Sequence, residues 1–217
     1  MTRKYEKIYQ LTYFDIRGLA EMIRLLLTDQ GIDYDEKRIT SMEDWLKIKD
    51  QFLFGQVPCL MVGDRPLVET GAIMRFLARR YNLYGETEEE KAYADMFFEG
   101  IRDLHTKYVH LIYREYDVEG KKEEFLTKTL PTALGQLERL FVSRKKGEQF
   151  VLGETLCFAD YTLFEELDIM LILDAQSLDK FPVLKSFHDR FEDRPSLKAY
   201  LAKRKADNVK VNGNGKQ

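Results

Sequence analysis

The sequence predicts a small α/β domain with a mixed four-stranded sheet, followed by an all-helical domain. Three observations carry that prediction. Strand and helix signals alternate through the first third, the turn-rich segment Asn82-Leu83-Tyr84-Gly85 interrupts them, and only helical periodicity follows. The expected division is 1–84 and 85–217.

The elements read as follows. Ile8, Leu11 and Tyr13 fall in a short β-compatible stretch, and Leu19, Ile23, Leu26, Leu27 and Gln30 recur at helical spacing up to the stop at Gly31. Residues 34–39 alternate weakly and are polar, as suits an exposed or edge strand. Residues 45–51 read as a short helix. Leu60-Met61-Val62 and Pro66-Leu67-Val68 flank the turn signal Gly63-Asp64 and predict a hairpin. Residues 71–80 form a helix with Ile73, Phe76 and Leu77 on one face. A right-handed βαβ unit joined to a ββα unit is the expected assembly. Beyond the break, 88–116 is one long amphipathic helix, and 123–145 follows with Leu130-Pro131 at or near a first turn or kink. Residues 158–174 are the most apolar helix and the expected centre of the domain. Two shorter helices, 183–192 and 196–205, are separated by Arg194-Pro195, and the tail from Val211 is turn-rich.

Composition removes several classes of function. The 217 residues are 44% hydrophobic and 33% charged, which suits a folded globular protein and is too apolar for disorder. A net charge of -3, from 34 basic and 37 acidic residues, gives no general reason to bind nucleic acid, and no long basic run supplies a local one. The two cysteines, Cys59 and Cys157, do not read as a disulfide framework, so a reducing compartment is expected. The segment Met1-Thr2-Arg3-Lys4-Tyr5-Glu6-Lys7 lacks the apolar stretch of a secretory signal, and runs such as Met170-Leu171-Ile172-Leu173 are too short to span a bilayer. The expected location is cytoplasmic. The three histidines, His105, His110 and His188, have no metal-ligand spacing, and no glycine-rich phosphate loop occurs, so no metal is expected.

The order of elements in the first domain is that of thioredoxin-like proteins. Redox members place Cys-x-x-Cys between the first strand and first helix, where a helix N-terminus stabilises a thiolate. Here Tyr13-Phe14-Asp15-Ile16-Arg17-Gly18 occupies that place without cysteine, which argues against dithiol exchange. A tyrosine hydroxyl can instead donate to a thiolate brought in by a ligand. Packing of the Tyr13 ring at the end of a strand is the structural alternative.

At this point the chain resembles the glutathione transferase family, the pi class most closely. The resemblance rests on the Tyr-Phe-x-x-Arg-Gly opening, Trp45 and Lys49, Phe54-Gly55-Gln56-Val57-Pro58, and Arg102-Asp103-Leu104-His105-Thr106-Lys107-Tyr108. It continues through Phe158-Ala159-Asp160-Tyr161, Arg194-Pro195 and the terminal Asn-Gly-Asn-Gly-Lys-Gln. The resemblance implies that glutathione is the cosubstrate, with Tyr13 as the catalytic donor to its sulfur. It implies a binding site of Tyr13, Arg17, Trp45, Lys49, Gln56, Val57, Pro58, Glu69, Thr70 and Asp103. Within it Trp45 and Lys49 would hold the glycine carboxylate, a cis bond before Pro58 would expose backbone for the cysteinyl part, and Thr70 would take the γ-glutamyl carboxylate. A solvated lysine is the plain alternative for Lys49. Glu69-Thr70 replaces the usual Gln-Ser. Its carboxylate can pair with the γ-glutamyl ammonium, and it also stands near the γ-glutamyl carboxylate.

For the second domain the resemblance assigns Asp103 to the γ-glutamyl ammonium of a neighbouring subunit, with pairing to Arg102 or Lys107 as its alternative. Phe54 would be the key of a homodimer interface, or else a local core residue. The electrophile would lie among Phe14, Ile16, Met42, Val109, Tyr113 and Gly213, and Tyr113 would donate to its developing charge. Cys157 stands where the family's helix-capping segment opens with serine or threonine, and a thiol is a weaker acceptor, at an expected cost of about 1 kcal/mol. Phe52 occupies the position of the class's reactive cysteine, so redox control there is not expected. The implied activity is conjugation of the glutathione thiolate to hydrophobic electrophiles. A glutathione-dependent isomerase or peroxidase of the prostaglandin synthase kind, and a non-catalytic carrier of the same fold, are the competing readings.

Overall fold

A computed structural model describes residues 9–144 and 147–217, so Ile8 and Lys145 of the expected elements lie outside the described residues. Four strands form one mixed sheet in the order β2-β1-β3-β4. Strand β1 (Tyr9–Phe14) runs parallel to β2 (Tyr34–Ile39), with Tyr13 opposite Arg38, and antiparallel to β3 (Cys59–Val62). A Gly63-Asp64 turn returns β3 into β4 (Arg65–Val68). The polar strand is at the sheet edge, as its weak alternation predicts.

Helix α1 (Glu21–Asp29) follows β1 through a 3₁₀ turn, Gly18–Ala20, and buries Met22, Ile23, Leu25, Leu26 and Leu27. It also buries Glu21 and Arg24, which an apolar periodicity does not anticipate. Helix α2 (Met42–Ile48) starts before the predicted residue 45 because Ser41 caps it, its Oγ accepting the Asp44 N–H at 3.0 Å. A 3₁₀ turn, Lys49–Gln51, completes it. Helix α3 (Thr70–Arg80) closes the α/β order.

Helix α4 (Glu88–His110) opens on a capping box between Thr87 and Glu90 and continues into a π-helical segment, Leu111–Glu115. The predicted 123–145 helix divides into α5 (Lys121–Glu124), a second π segment (Phe125–Thr129) and α6 (Leu130–Val142). Leu130-Pro131 lies where the π segment gives way to α6, since proline at the start of a helix forfeits no hydrogen bond there. Helix α7 (Phe158–Leu173) is buried on nearly every side and is the core of the helical part. Helix α8 (Pro182–Glu192) packs on α7, and α9 (Pro195–Ala206) follows. Among the described residues no helix is long and apolar enough to cross a membrane.

Spatial proximity sorts the chain into two compact units that do not follow chain order. One holds the described residues up to Leu77 together with Pro195–Gly213, and the other holds those of Ala78–Arg194 with Asn214–Gln217. Helix α9 thus packs on α1, where Tyr200 donates to Glu21 at 2.8 Å and Arg204 at 3.1 Å.

Within the helical unit, His188 of α8 is buried, with Nε2 3.3 Å from Asp168 and Nδ1 3.4 Å from Asp189, and its ring stacks on Phe164. Burial lowers the imidazole pKa, but Asp168, Asp189 and Glu192 outweigh it and hold the value above the usual 6.5. Because the folded value is raised, this stabilisation is complete below pH 6.5 and is lost as pH rises through the folded pKa. Denaturant unfolding at stepped pH is expected to show that loss, and His188→Gln to remove it. An unchanged pH slope in the variant would refute the assignment.

Candidate active site

The end of β1 carries Tyr13, which is 7% exposed. Its hydroxyl oxygen accepts the Leu19 N–H at 3.0 Å. A phenolic hydroxyl is both acceptor and donor, so this contact uses only its accepting side. Gly18 makes this approach feasible: with φ at +43°, a Cβ there would lie 2.5 Å from the Tyr13 hydroxyl oxygen. The Tyr-Phe-x-x-Arg-Gly spacing is thus a geometric requirement, the glycine clearing space for the tyrosine five residues before it.

The loop between them is pinned at successive residues. The Asp15 N–H donates to Ile39 O at 3.0 Å, the Arg17 N–H to Lys210 O at 2.8 Å and the Gly18 N–H to Val211 O at 3.1 Å. The Arg24 guanidinium donates to Ile16 O at 2.8 Å and to Arg17 O at 3.2 Å. The Arg17 side chain is buried.

An aromatic row extends from Tyr13. Its ring meets Phe14 edge-on at 5.7 Å, Phe14 meets Trp45 at 5.4 Å, and Trp45 meets Phe52 at 5.6 Å. Trp45 of α2 is therefore fixed beside the β1 terminus, and Lys49 follows one turn later, half-buried. Phe52 belongs to this packing.

The Val57-Pro58 peptide bond is cis, Pro58 is buried and Gln56 is exposed. Glu69 is exposed and has φ of 69°, the left-handed region that non-glycine residues seldom adopt and that clusters at functional sites. Thr70, the first residue of α3, is 5% exposed, and its Oγ1 has no hydrogen-bond partner among the described residues. A buried hydroxyl without a partner costs about 1–3 kcal/mol, and a helix N-terminus favours anions, so the two together mark a place for a negatively charged group.

The remaining expected residues are distributed between the units. Ile16 is half-buried in the β1–α1 loop, while Met42 at the start of α2 is 63% exposed and Gly213 lies exposed in the segment after α9. In the helical unit Val109 lies in the last turn of α4, Tyr113 stands in the π segment at 46% exposure, and Asp103 is exposed on α4. Phe54 is 66% exposed, which excludes its alternative as a core residue. Cys59 is a buried strand residue, and burial pushes its thiol up. Among the described residues no group of three or more His, Cys, Asp or Glu is placed to hold a metal ion.

Sequence reasoning missed the charged frame beneath the loop. Arg24 is fully buried, yet it donates from Nε to Glu36 at 2.6 Å and from Nη1 to Glu21 at 3.0 Å. Burial raises the Glu21 carboxyl, but Arg24, Arg204 and Arg17 outweigh it and hold it below the usual carboxylate range. The available signal was the spacing of Glu21 and Arg24, three apart among buried positions of α1.

Residues 9–79 match the family described as Glutathione S-transferase, N-terminal domain, and residues 102–204 that described as Glutathione S-transferase, C-terminal domain. A glutathione S-transferase of Dirofilaria immitis is 54% identical over 209 residues, 96% of this chain and 99% of its own. Glutathione S-transferase P of Caenorhabditis elegans is 54% identical over 208 residues, with the same coverage of 96% and 99%. The solved structure of the Onchocerca volvulus Pi-class glutathione S-transferase superposes with a TM-score of 0.94 at 54% identity, covering 97% of this chain and 100% of that one.

Proposed function

The chain belongs to the glutathione S-transferase family, and from that premise we propose how its residues divide the work of conjugating glutathione. It is a glutathione transferase with glutathione as cosubstrate. Tyr13 donates its hydroxyl to the glutathione sulfur and favours the thiolate, which then attacks a hydrophobic electrophile. Trp45 and Lys49 take the glycine carboxylate, and the Val57 backbone, positioned by Gln56 and Pro58, pairs with the cysteinyl unit as an added strand would. Thr70 and the first turn of α3 take the γ-glutamyl carboxylate, with Arg17 contributing charge nearby and Glu69 facing the γ-glutamyl ammonium. Asp103 reaches the same ammonium from a neighbouring subunit, and Phe54 keys the homodimer, in keeping with its exposure. The residues assigned to the electrophile are Phe14, Ile16, Met42, Val109, Tyr113 and Gly213, with Tyr113 donating to its developing charge. By chain order 1–84 is the glutathione-binding domain and 85–217 the helical domain, although spatial proximity groups Pro195–Gly213 with the first; the protein works in the cytoplasm.

The observation that carries the binding site is the buried Thr70 hydroxyl at the start of α3, which has no hydrogen-bond partner among the described residues. Turnover of glutathione with a chloronitrobenzene tests the whole reading, and a rate no greater than the uncatalysed background from folded protein would defeat it. Calorimetric titration with glutathione tests the site. Thr70→Val is expected to weaken binding about tenfold or more, whereas the exposed Glu69→Gln changes it by less than about tenfold. A hundredfold loss in Glu69→Gln, or none in Thr70→Val, would overturn these assignments.

A further inference from the structure

The loop 15–18 that follows Tyr13 rests on a chain of charges reaching from β2 to α9. Asp15 accepts from Arg38 Nη1 at 2.7 Å, and Arg38 Nη2 donates to Glu36 at 3.0 Å. Glu36 accepts from Arg24 Nε, Arg24 donates to Glu21, and Glu21 accepts from Tyr200 and Arg204 of α9. Arg24 stands at the centre, with its guanidinium carbon 5.9 Å from the Tyr13 ring centroid. Its Nη1 alone serves two backbone carbonyls, those of Ile16 and Arg17, as well as Glu21. A planar fork can bridge carbonyls and carboxylates in fixed directions, and an ammonium cannot reproduce that.

We propose that Arg24 is a positioning residue for the thiolate site, and that Glu21, Tyr200 and Arg204 make helix α9 part of its frame. The Tyr13 hydroxyl accepts from Leu19 N–H, one residue after this loop, so the loop's placement sets the direction in which the hydroxyl donates. The same frame holds the Arg17 carbonyl while the segment after α9 holds the Arg17 and Gly18 N–H groups. Residues about 180 positions downstream thereby fix the geometry at the end of β1, as preorganised donors require. This inference rests on the reading of Tyr13 as donor to the glutathione sulfur.

The test compares Arg24→Lys, Arg204→Gln and Tyr200→Phe with the unmodified protein and with Tyr13→Phe. Three readouts are taken at one neutral pH: the ultraviolet thiolate band of bound glutathione, kcat, and KM for glutathione. Arg24→Lys is expected to weaken the band and lower kcat about tenfold, and Arg204→Gln and Tyr200→Phe to do so by ~3-fold, with KM changing less than kcat. Should Arg24→Lys fail to fold, the two α9 variants decide, since they leave Arg24 in place. Variants that melt earlier but keep the band and kcat would make the frame merely structural and overturn the proposal. If Tyr13→Phe loses the band while all three others retain it, the inference falls and the reading of Tyr13 stands. If Tyr13→Phe itself retains band and turnover, the underlying reading falls and the inference with it.

Discussion

Replacement of Tyr13 by phenylalanine is expected to cut turnover tenfold or more while glutathione affinity stays within about threefold. The reasoning starts from the thiol, whose ordinary pKa of about 8.5 leaves only a few per cent ionised at neutral pH. A shift of about two in that value makes the thiolate prevalent and corresponds to ~2.7 kcal/mol of differential stabilisation. One directed hydrogen bond to the charged form, from a tyrosine that is itself buried, supplies an effect of that order. Phenylalanine retains the ring, and with it the edge contact to Phe14 and the packing beneath Arg24. What disappears is the hydroxyl, as acceptor of the Leu19 N–H and as the proposed donor to sulfur. On the proposed assignment the groups that hold glutathione away from its sulfur, on Trp45, Lys49 and Thr70, are untouched by this change, so affinity is expected to be preserved. The measurement is steady-state kinetics with a chloronitrobenzene beside calorimetric binding of glutathione. Full turnover in Tyr13→Phe would remove the tyrosine from the mechanism. A collapse of binding in parallel with turnover would instead make the hydroxyl a determinant of ground-state affinity.

What could be read in advance follows from which interactions are local. The sheet order and the hairpin at Gly63-Asp64 are encoded in short-range patterns, and Tyr13 with Gly18 is a pair five residues apart whose chemistry depends on that spacing. The break of the long 88–116 helix into α and π segments was not visible, because a π segment preserves an amphipathic pattern while changing only which carbonyl each N–H reaches. The early start of α2 is encoded by the Ser41 cap and the acidic residues after it, which precede the apolar positions that a periodicity detects. The frame under the Tyr13 loop was hidden for a different reason. Glu21 and Arg24 are charges on the buried side of α1, and their partners Tyr200 and Arg204 lie at the other end of the chain. The three-residue spacing of Glu21 and Arg24 is the one local hint, and it does not identify the distant partners. Thr70 was identified through resemblance to known sequences, but the buried hydroxyl without a partner that gives the assignment its physical basis appears only in three dimensions.

Asp160→Ala is expected to destabilise the protein by about 3–5 kcal/mol, the largest stability effect of any single change considered. Asp160 is fully buried near the start of α7, where its carboxylate accepts the Val151 N–H and the Cys157 N–H, each at 2.7 Å. It thereby completes a capping box whose other residue is cysteine, and much of what the weak thiol cap withholds is supplied from this side. Alanine strands two buried N–H donors and opens a cavity, whereas asparagine keeps one good acceptor and should cost only ~1–3 kcal/mol. The carboxyl also carries a pH signature. Burial pushes its pKa from 3.8 up to about 7, against the two N–H donors, the Cys157 thiol and the charge of Arg194, which all pull it down. The folded state therefore retains a proton that the unfolded chain releases near 3.8, so stability falls as pH rises from about 4 to about 7 and then levels off. Urea unfolding at fixed protein concentration across that window reads both effects. The unmodified protein should lose stability through the window, and Asp160→Asn should lack that slope, so the gap between them narrows as pH approaches 7. An equal slope in Asp160→Asn would assign the titration to another group. A loss below about 1 kcal/mol in Asp160→Ala would mean that the Val151 and Cys157 donors find other partners.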